Sequence, residues 1–331
     1  MYKKNLMLKN SIRFFVFWRE NMNFKTDMAD ERRDLYKNAN NLEDEIEGIE
    51  CESQDLGDDI HLTRVRILDE KGEESLQKKK GNYITIDLKR VNNISDELKE
   101  KIIDIISSEL HQLIDKKIKE DEEILIVGLG NGNLIADALG TKVIEGIEVT
   151  RHVKKYCPEY LRENQRAISA IAPGVMGTTG IETLEIIKGI VQNVKPKLLI
   201  VIDSLASRSI ERIVKSVQIS DTGIVPGGGV GNAQNELTFE SLNVPVIAIG
   251  IPTVVESAVL VNDCLDIFIE KLQEEAKSNV FLNQLKEQDN YESIKEALNP
   301  QDYNMIVTPK EIDDLIENMK AVIAQGINYA V

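Results

Sequence analysis

Between residues 122 and 262, three short and wholly apolar runs, at 124–127, 198–202 and 246–249, each end in a polar or glycine-rich loop and lead into a helical stretch. Strands that are apolar at every residue must be covered on both faces, and a mainly parallel sheet with helices on both faces does this. Fifteen of the 20 glycines lie between Gly128 and Gly250, where strand ends need tight turns and close backbone approach. In such α/β sheets the functional crevice opens beyond the carboxyl ends of the strands, so the chemistry is expected there.

The flanks read differently. Alternating residues at 61–68 and 83–88 predict two half-buried strands separated by a loop. Residues 41–60 hold nine acids and no base, a composition that reads as a solvated acidic loop. Ser95 predicts the N-cap of a helix from Asp96 to about Lys119, within which His111 reads as a packing residue. A last helix is announced by Thr308 as N-cap, Pro309 as first residue and Glu311 as third. Its apolar stripe is Ile312, Leu315, Ile316, Met319, Val322 and Ile323.

Composition bounds the function. The 331 residues include 40 Lys plus Arg against 56 Asp plus Glu, a net charge of −16, which argues against direct nucleic-acid binding. Cys51, Cys157 and Cys264 are unpaired in spacing and imply a reducing, cytoplasmic compartment. No run reaches the roughly 18 apolar residues of a membrane span. The first 25 residues carry six bases and one acid, and their apolar cluster at 14–18 is too short for a secretory signal. Met22 is an alternative start.

The common glycine-loop chemistries do not fit. The loop at 128–140 follows a strand and opens a helix, but its third glycine is Gly132 where a dinucleotide turn needs one at Asn133. The loop at 226–232 lacks the Lys-Ser/Thr pair of a P-loop. Neither Ser204 nor Ser209 stands in a nucleophile elbow, and His61, His111 and His152 are scattered. No cofactor is expected. What remains is Asp137, in an otherwise apolar turn-to-helix segment, and Asp203, at the end of the run 198–202. Two carboxylates in a poorly solvated crevice cannot easily both ionise, so one keeps a proton while the other activates water. The competing account is that each caps a helix. Asn131, His152, Glu182, Arg208 and Thr222 are supporting candidates, with Thr179 and Glu182 forming a capping box for a helix to about Asn193 and residues 218–223 offering further polar contacts.

At these residues the chain resembles the germination protease of spore-forming bacteria, over 128–140, 149–152, 171–182, 203–212, 218–232, 246–256 and 307–312. The resemblance implies an atypical aspartic endopeptidase whose two aspartates carry over to Asp137 and Asp203, acting on small acid-soluble spore proteins in the forespore and spore core. It also implies a homotetramer and a zymogen that cleaves itself. Thr26-Asp-Met-Ala-Asp-Glu31 resembles the substrate motif, which predicts cleavage between Asp27 and Met28. The implied fold is related to that of the hydrogenase-maturation endopeptidases, with extra N-terminal strands and C-terminal helices. The expected organisation is an extension and propeptide at 1–27, then one peptidase domain at 28–331. Within it, 28–121 supplies the N-terminal strands and helix, 122–262 the catalytic core and 263–331 the C-terminal helices. Ser204 and Ser207 depart from the family, where alanines are commoner, as does the long basic extension before Met22. The alternative function is a metal-dependent peptidase with Asp137, Asp203 and His152 as ligands.

Overall fold

The computed structural model describes residues 24–91, 94–161, 165–227, 235–276, 291–298 and 305–331. The basic N-terminal cluster and most of the glycine loop at 226–232 lie outside the described residues.

Among the described residues, one nine-stranded sheet organises the fold. In chain order its strands are β1 (Ile49–Asp55), β2 (Ile60–Ile67), β3 (Gly81–Leu88), β4 (Ile124–Gly128), β5 (Ile168–Ile171), β6 (Leu198–Ala206), β7 (Ser216–Ser220), β8 (Val246–Glu256) and β9 (Ile306–Val307). Their spatial order is β1-β2-β3-β7-β8-β6-β4-β5, with β9 paired to β8. The strands β5, β4, β6 and β8 run parallel, and β7, β3, β2 and β1 extend them as an antiparallel half.

The helices are α1 (Ala29–Ala39), α2 (Glu70–Leu76), α3 (Asp96–Asp115), α4 (Leu139–Ile144), α5 (Arg151–Tyr156), α6 (Met176–Thr179), α7 (Thr183–Val194), α8 (Phe239–Leu242), α9 (Ser257–Ala276), α10 (Tyr291–Leu298) and α11 (Ile312–Ala330). One face of the sheet is closed by α3, α4 and α11, whose Ile106, Val143 and Ile323 pack with Ile86, Ile200 and Ile249. The other face is covered in two patches. On the parallel half, α7 and α8 pack Ile187 and Leu242 on Val127 and Val201. On the antiparallel half, α1 packs Ala29 and Tyr36 against Val65 and Tyr83. Side chains alternate along each strand, so β6 sends Ile200 and Ile202 to the first core and Val201, and with it Asp203, to the second face.

Several local expectations are corrected. The acidic stretch at 41–60 is not all loop, because Ile49–Asp55 pairs as an edge strand with β2. The segment between β2 and β3 contains α2, capped by the Asp69 side chain accepting from Gly72 N–H. The Thr179 to Glu182 capping box does not form. Thr179 Oγ1 donates to Val175 O and accepts from Ile181 N–H, Gly180 adopts a left-handed φ of 72°, and α7 begins only at Thr183. The last helix starts at Ile312 with Glu311 as N-cap, because the Thr308 hydroxyl donates instead to Thr253 O. Ser95 does cap α3, accepting from Leu98 N–H, and the predicted α11 stripe is buried. His111 does not pack as expected: it is exposed on α3, with Nδ1 2.9 Å from Ala330 O and Nε2 3.2 Å from Asp115 Oδ2.

Candidate active site

The parallel strands end beside a cavity of about 270 Å³ whose lining includes Asp27, Asp137, Asp203, Thr183 and Gly227. Asp137 ends a single 3-10 turn, Ile135–Asp137, between β4 and α4. Glycines make that turn possible. A Cβ on Gly128 would stand 2.1 Å from Gly140 O, so β4 and α4 can approach only as glycines. Gly130 has φ +99°, and a Cβ there would meet Asp137 O at 2.0 Å. The carboxylate then accepts the Asn131 backbone N–H at 2.8 Å.

Asp203 is held differently. The strand runs past the expected end at Ile202 to Ala206, so Asp203 sits within extended backbone and is 4% exposed. Its carboxylate accepts the neighbouring Ser204 N–H at 2.9 Å. Neither aspartate caps a helix. Burial pushes the Asp203 carboxyl well above its ordinary value, with the carboxylates of Asp137 and Asp27 adding to the effect. Asp137 is also raised by burial, while the Asn131 N–H partly opposes it. Burial thus favours the protonated form of both carboxyls.

A third element enters from the N-terminal side. Asp27 N–H donates to Ala206 O and Ala206 N–H donates to Asp27 Oδ2, both at 2.9 Å. The segment from Thr26 to Ala29 therefore adds to the tip of β6, with Thr26, Met28 and Ala29 fully buried. Past it, the Gln218 side chain on β7 accepts from Ala29 N–H at 2.7 Å and donates to Asp27 O at 3.1 Å. Arg212 pairs with Asp30 and, at 2.6 Å, with Asp87. The Asp27–Met28 peptide is consequently fixed on both sides, next to the cavity of the two aspartates.

The supporting candidates separate. Asn131 belongs to the site through its backbone. Glu182 precedes Thr183 at the start of α7 and makes no side-chain cap. Arg208 donates its backbone N–H to Glu31 Oε2 at 2.8 Å while its guanidinium pairs with Asp263. Thr222 donates to the Tyr83 hydroxyl and lines a second cavity, of about 590 Å³, which shares Asp27 and Leu205 with the first. His152 is exposed on α5, where neighbouring Thr150 bonds to Ile168 at the start of β5 and Arg151 pairs with Glu123 before β4. It therefore lies at the far end of the parallel strands and does not join the aspartates. Among the described residues no group of three or more His, Cys, Asp or Glu side chains is arranged to hold a metal ion, and no helix is long and apolar enough to cross a membrane.

The family model described as germination protease matches residues 25–283 and 270–331. A germination protease of Caldanaerobacter subterraneus subsp. tengcongensis is 45% identical over 94% of this chain and 94% of its own length. That of Clostridium acetobutylicum is 44% identical over 93% and 94%, and that of Bacillus cereus 38% over 93% of each. Among solved structures, the [NiFe] hydrogenase maturation protease HycI of Thermococcus kodakarensis KOD1 aligns with 42% of this chain and 79% of its own, at 19% identity and a TM-score of 0.26. With the family match running from residue 25 to the C-terminus and relatives of this similarity aligned nearly end to end, the chain belongs to the germination protease family.

Proposed function

We propose that this peptidase is made as a zymogen that cuts its own Asp27–Met28 bond and then opens small acid-soluble spore proteins during germination, with Asp137 and Asp203 activating the attacking water. One observation carries the reading: the Asp27–Met28 peptide is held beside the cavity that gathers both aspartates. Deprotonated Asp137 draws a proton from water, and the resulting oxygen attacks the Asp27 carbonyl carbon. Protonated Asp203 polarises the carbonyl. Collapse of the tetrahedral intermediate re-forms the C=O, breaks the C–N bond and leaves the proton on the Met28 nitrogen. This division follows burial, since the drier carboxyl holds its proton longer. The homotetramer and the location in the forespore and spore core, both implied by the family, belong to the same reading.

The test is mass spectrometry of the N-terminus of wild type beside Asp137→Asn and Asp203→Asn, with cleavage of a spore-protein peptide in the presence and absence of chelator. Self-cleavage after Asp27 that both substitutions abolish and chelator leaves alone supports the aspartic mechanism. Processing by either variant removes that aspartate from the chemistry, and inhibition by chelator transfers the role of the carboxylates to a metal.

A further inference from the structure

Gln218 is the residue whose contacts the two-aspartate reading leaves unused. It lies on β7 opposite Gly250 of β8, and Gly250 is in turn opposite Asp203 of β6. Paired residues share a face, so Asp203 and Gln218 project from the same side, with the Leu205 side chain lying over Gly250 between them. At ordinary inter-strand spacing their backbones stand about 10 Å apart. Thr85 of β3 continues the row beyond Gln218 and donates to Asp30 Oδ1 at 3.2 Å.

The segment 27–30 crosses the strands over this row. Asp27 is at Ala206, Ala29 at Gln218 and Asp30 at Thr85. The two bonds of Gln218 go to backbone groups, so they read a peptide's path independently of its side chains. Their direction is fixed by the partners: an N–H must meet Oε1 and a carbonyl must meet Nε2. Gln218 is 6% exposed, and water competes poorly for these contacts. The carbonyl it reaches is that of the Asp27–Met28 bond.

We infer that Gln218 is a catalytic residue that grips the peptide on both sides of the residue following the cut and donates to the carbonyl oxygen that becomes the oxyanion. It rests on the reading of Asp27–Met28 as the bond cleaved. When water adds to the Asp27 carbonyl carbon, the π pair moves to oxygen, and Nε2–H strengthens its bond to that oxygen without transferring its proton. The proton balance stays with the two aspartates. A preorganised donor aimed where charge develops contributes roughly 10²- to 10³-fold in rate.

The experiment is the first-order rate of self-cleavage of the full chain, with a thermal melt of each variant. Gln218→Leu, folded, is expected to slow cleavage by roughly 10²- to 10³-fold. Gln218→Glu keeps an acceptor for Ala29 N–H but donates only when protonated. Burial holds the new carboxyl above the ordinary glutamate range, so the variant's rate relative to wild type is expected to rise as pH falls through that raised range. Should the Leu variant fail to fold, the Glu profile decides. A folded Gln218→Leu that cleaves at the wild-type rate, or a Glu-to-wild-type ratio flat with pH, overturns the inference. Absence of cleavage at Asp27–Met28 in wild type itself overturns instead the reading on which it rests.

Discussion

Arg212, in the turn after β6, forms an ion pair with Asp30 in the first turn of α1 and so ties the residues following Asp27–Met28 to the sheet. The same guanidinium reaches Asp87 of β3 at 2.6 Å and Glu31 at 3.5 Å. Three acids around one cation are stable only while the cation is there. Burial already pushes the Glu31 carboxyl above its ordinary value, and Arg212 is the strongest influence opposing it.

Replacing Arg212 with Met leaves these acids without a cation in a half-dry setting, and breaking such a cluster costs about 3 kcal/mol. A carboxyl with a raised folded pKa favours folding at low pH and loses that advantage as pH rises through its folded value. The deficit of Arg212→Met is therefore expected to be largest near neutrality and to shrink on acidification. Urea unfolding across pH measures this. An equal deficit at every pH would show that the variant loses packing rather than charge compensation.

The turn that presents Asp137 makes a second prediction. Gly130→Ala places a Cβ against the Asp137 carbonyl at a positive φ, so the turn must move. A misplacement of about 1 Å at a reacting group costs about 10²-fold in rate, and self-cleavage of Gly130→Ala is expected to fall by that order. Gly189, exposed within α7 with nothing beyond its own helical backbone within 4 Å of where an added methyl group would stand, is the matched control. Gly189→Ala is expected to stabilise by about 0.5–1 kcal/mol and leave the cleavage rate unchanged.

Why the sequence exposes some of these features and hides others follows from which partners each residue has. The strands β4, β6 and β8 are apolar at nearly every position because both faces are covered, so they stand out as runs. The edge strand β1 buries only Ile49 and shows no alternation, which makes its acids read as loop. In β7, Val217 and Ile219 enter the core while Ser216, Gln218 and Ser220 are buried on the other face, where Gln218 bonds the N-terminal segment. The partners of Gln218 are nearly two hundred positions away, which no local pattern encodes. The aspartates are legible because acids in apolar surroundings are conspicuous. Gln218 is visible only as a polar residue near a turn, since its partners at Asp27 and Ala29 are distant in the chain. The hydroxyls of Thr179 and Thr308 mislead for the same reason: each has a capping pattern, and each bonds a carbonyl instead.

Asp203→Asn provides a test of burial that does not use activity. A buried carboxyl whose folded pKa lies above its unfolded value disfavours the folded state once pH exceeds the ordinary aspartate range. The amide cannot ionise and escapes this penalty. The melting temperature of Asp203→Asn is expected to exceed that of wild type near neutral pH, with the gap closing as pH falls from the raised folded value to the ordinary aspartate range. A lower melting temperature at neutral pH would mean that the ionised carboxylate is stabilised in the fold.

The rate of self-cleavage should carry both aspartates in its pH profile. On the proposed mechanism cleavage needs Asp137 ionised and Asp203 protonated, so the rate is expected to rise as pH passes the apparent pKa of the pair's first ionisation and to fall as it passes the second. Both limbs are displaced upward because burial raises both carboxyls. Asp27 adds a separable contribution: its carboxylate helps to raise Asp203, and it does so only while the segment lies on β6. Asp27→Asn keeps an acceptor for Ala206 N–H but removes the charge. The upper limb of its profile is expected to move to lower pH while the lower limb stays near that of wild type, whatever happens to the maximum rate. Single-turnover rates of the two chains across pH read these limbs directly. An upper limb that does not move would place the Asp27 charge outside the field felt by Asp203, and movement of the lower limb alone would assign the retained proton to Asp137 instead.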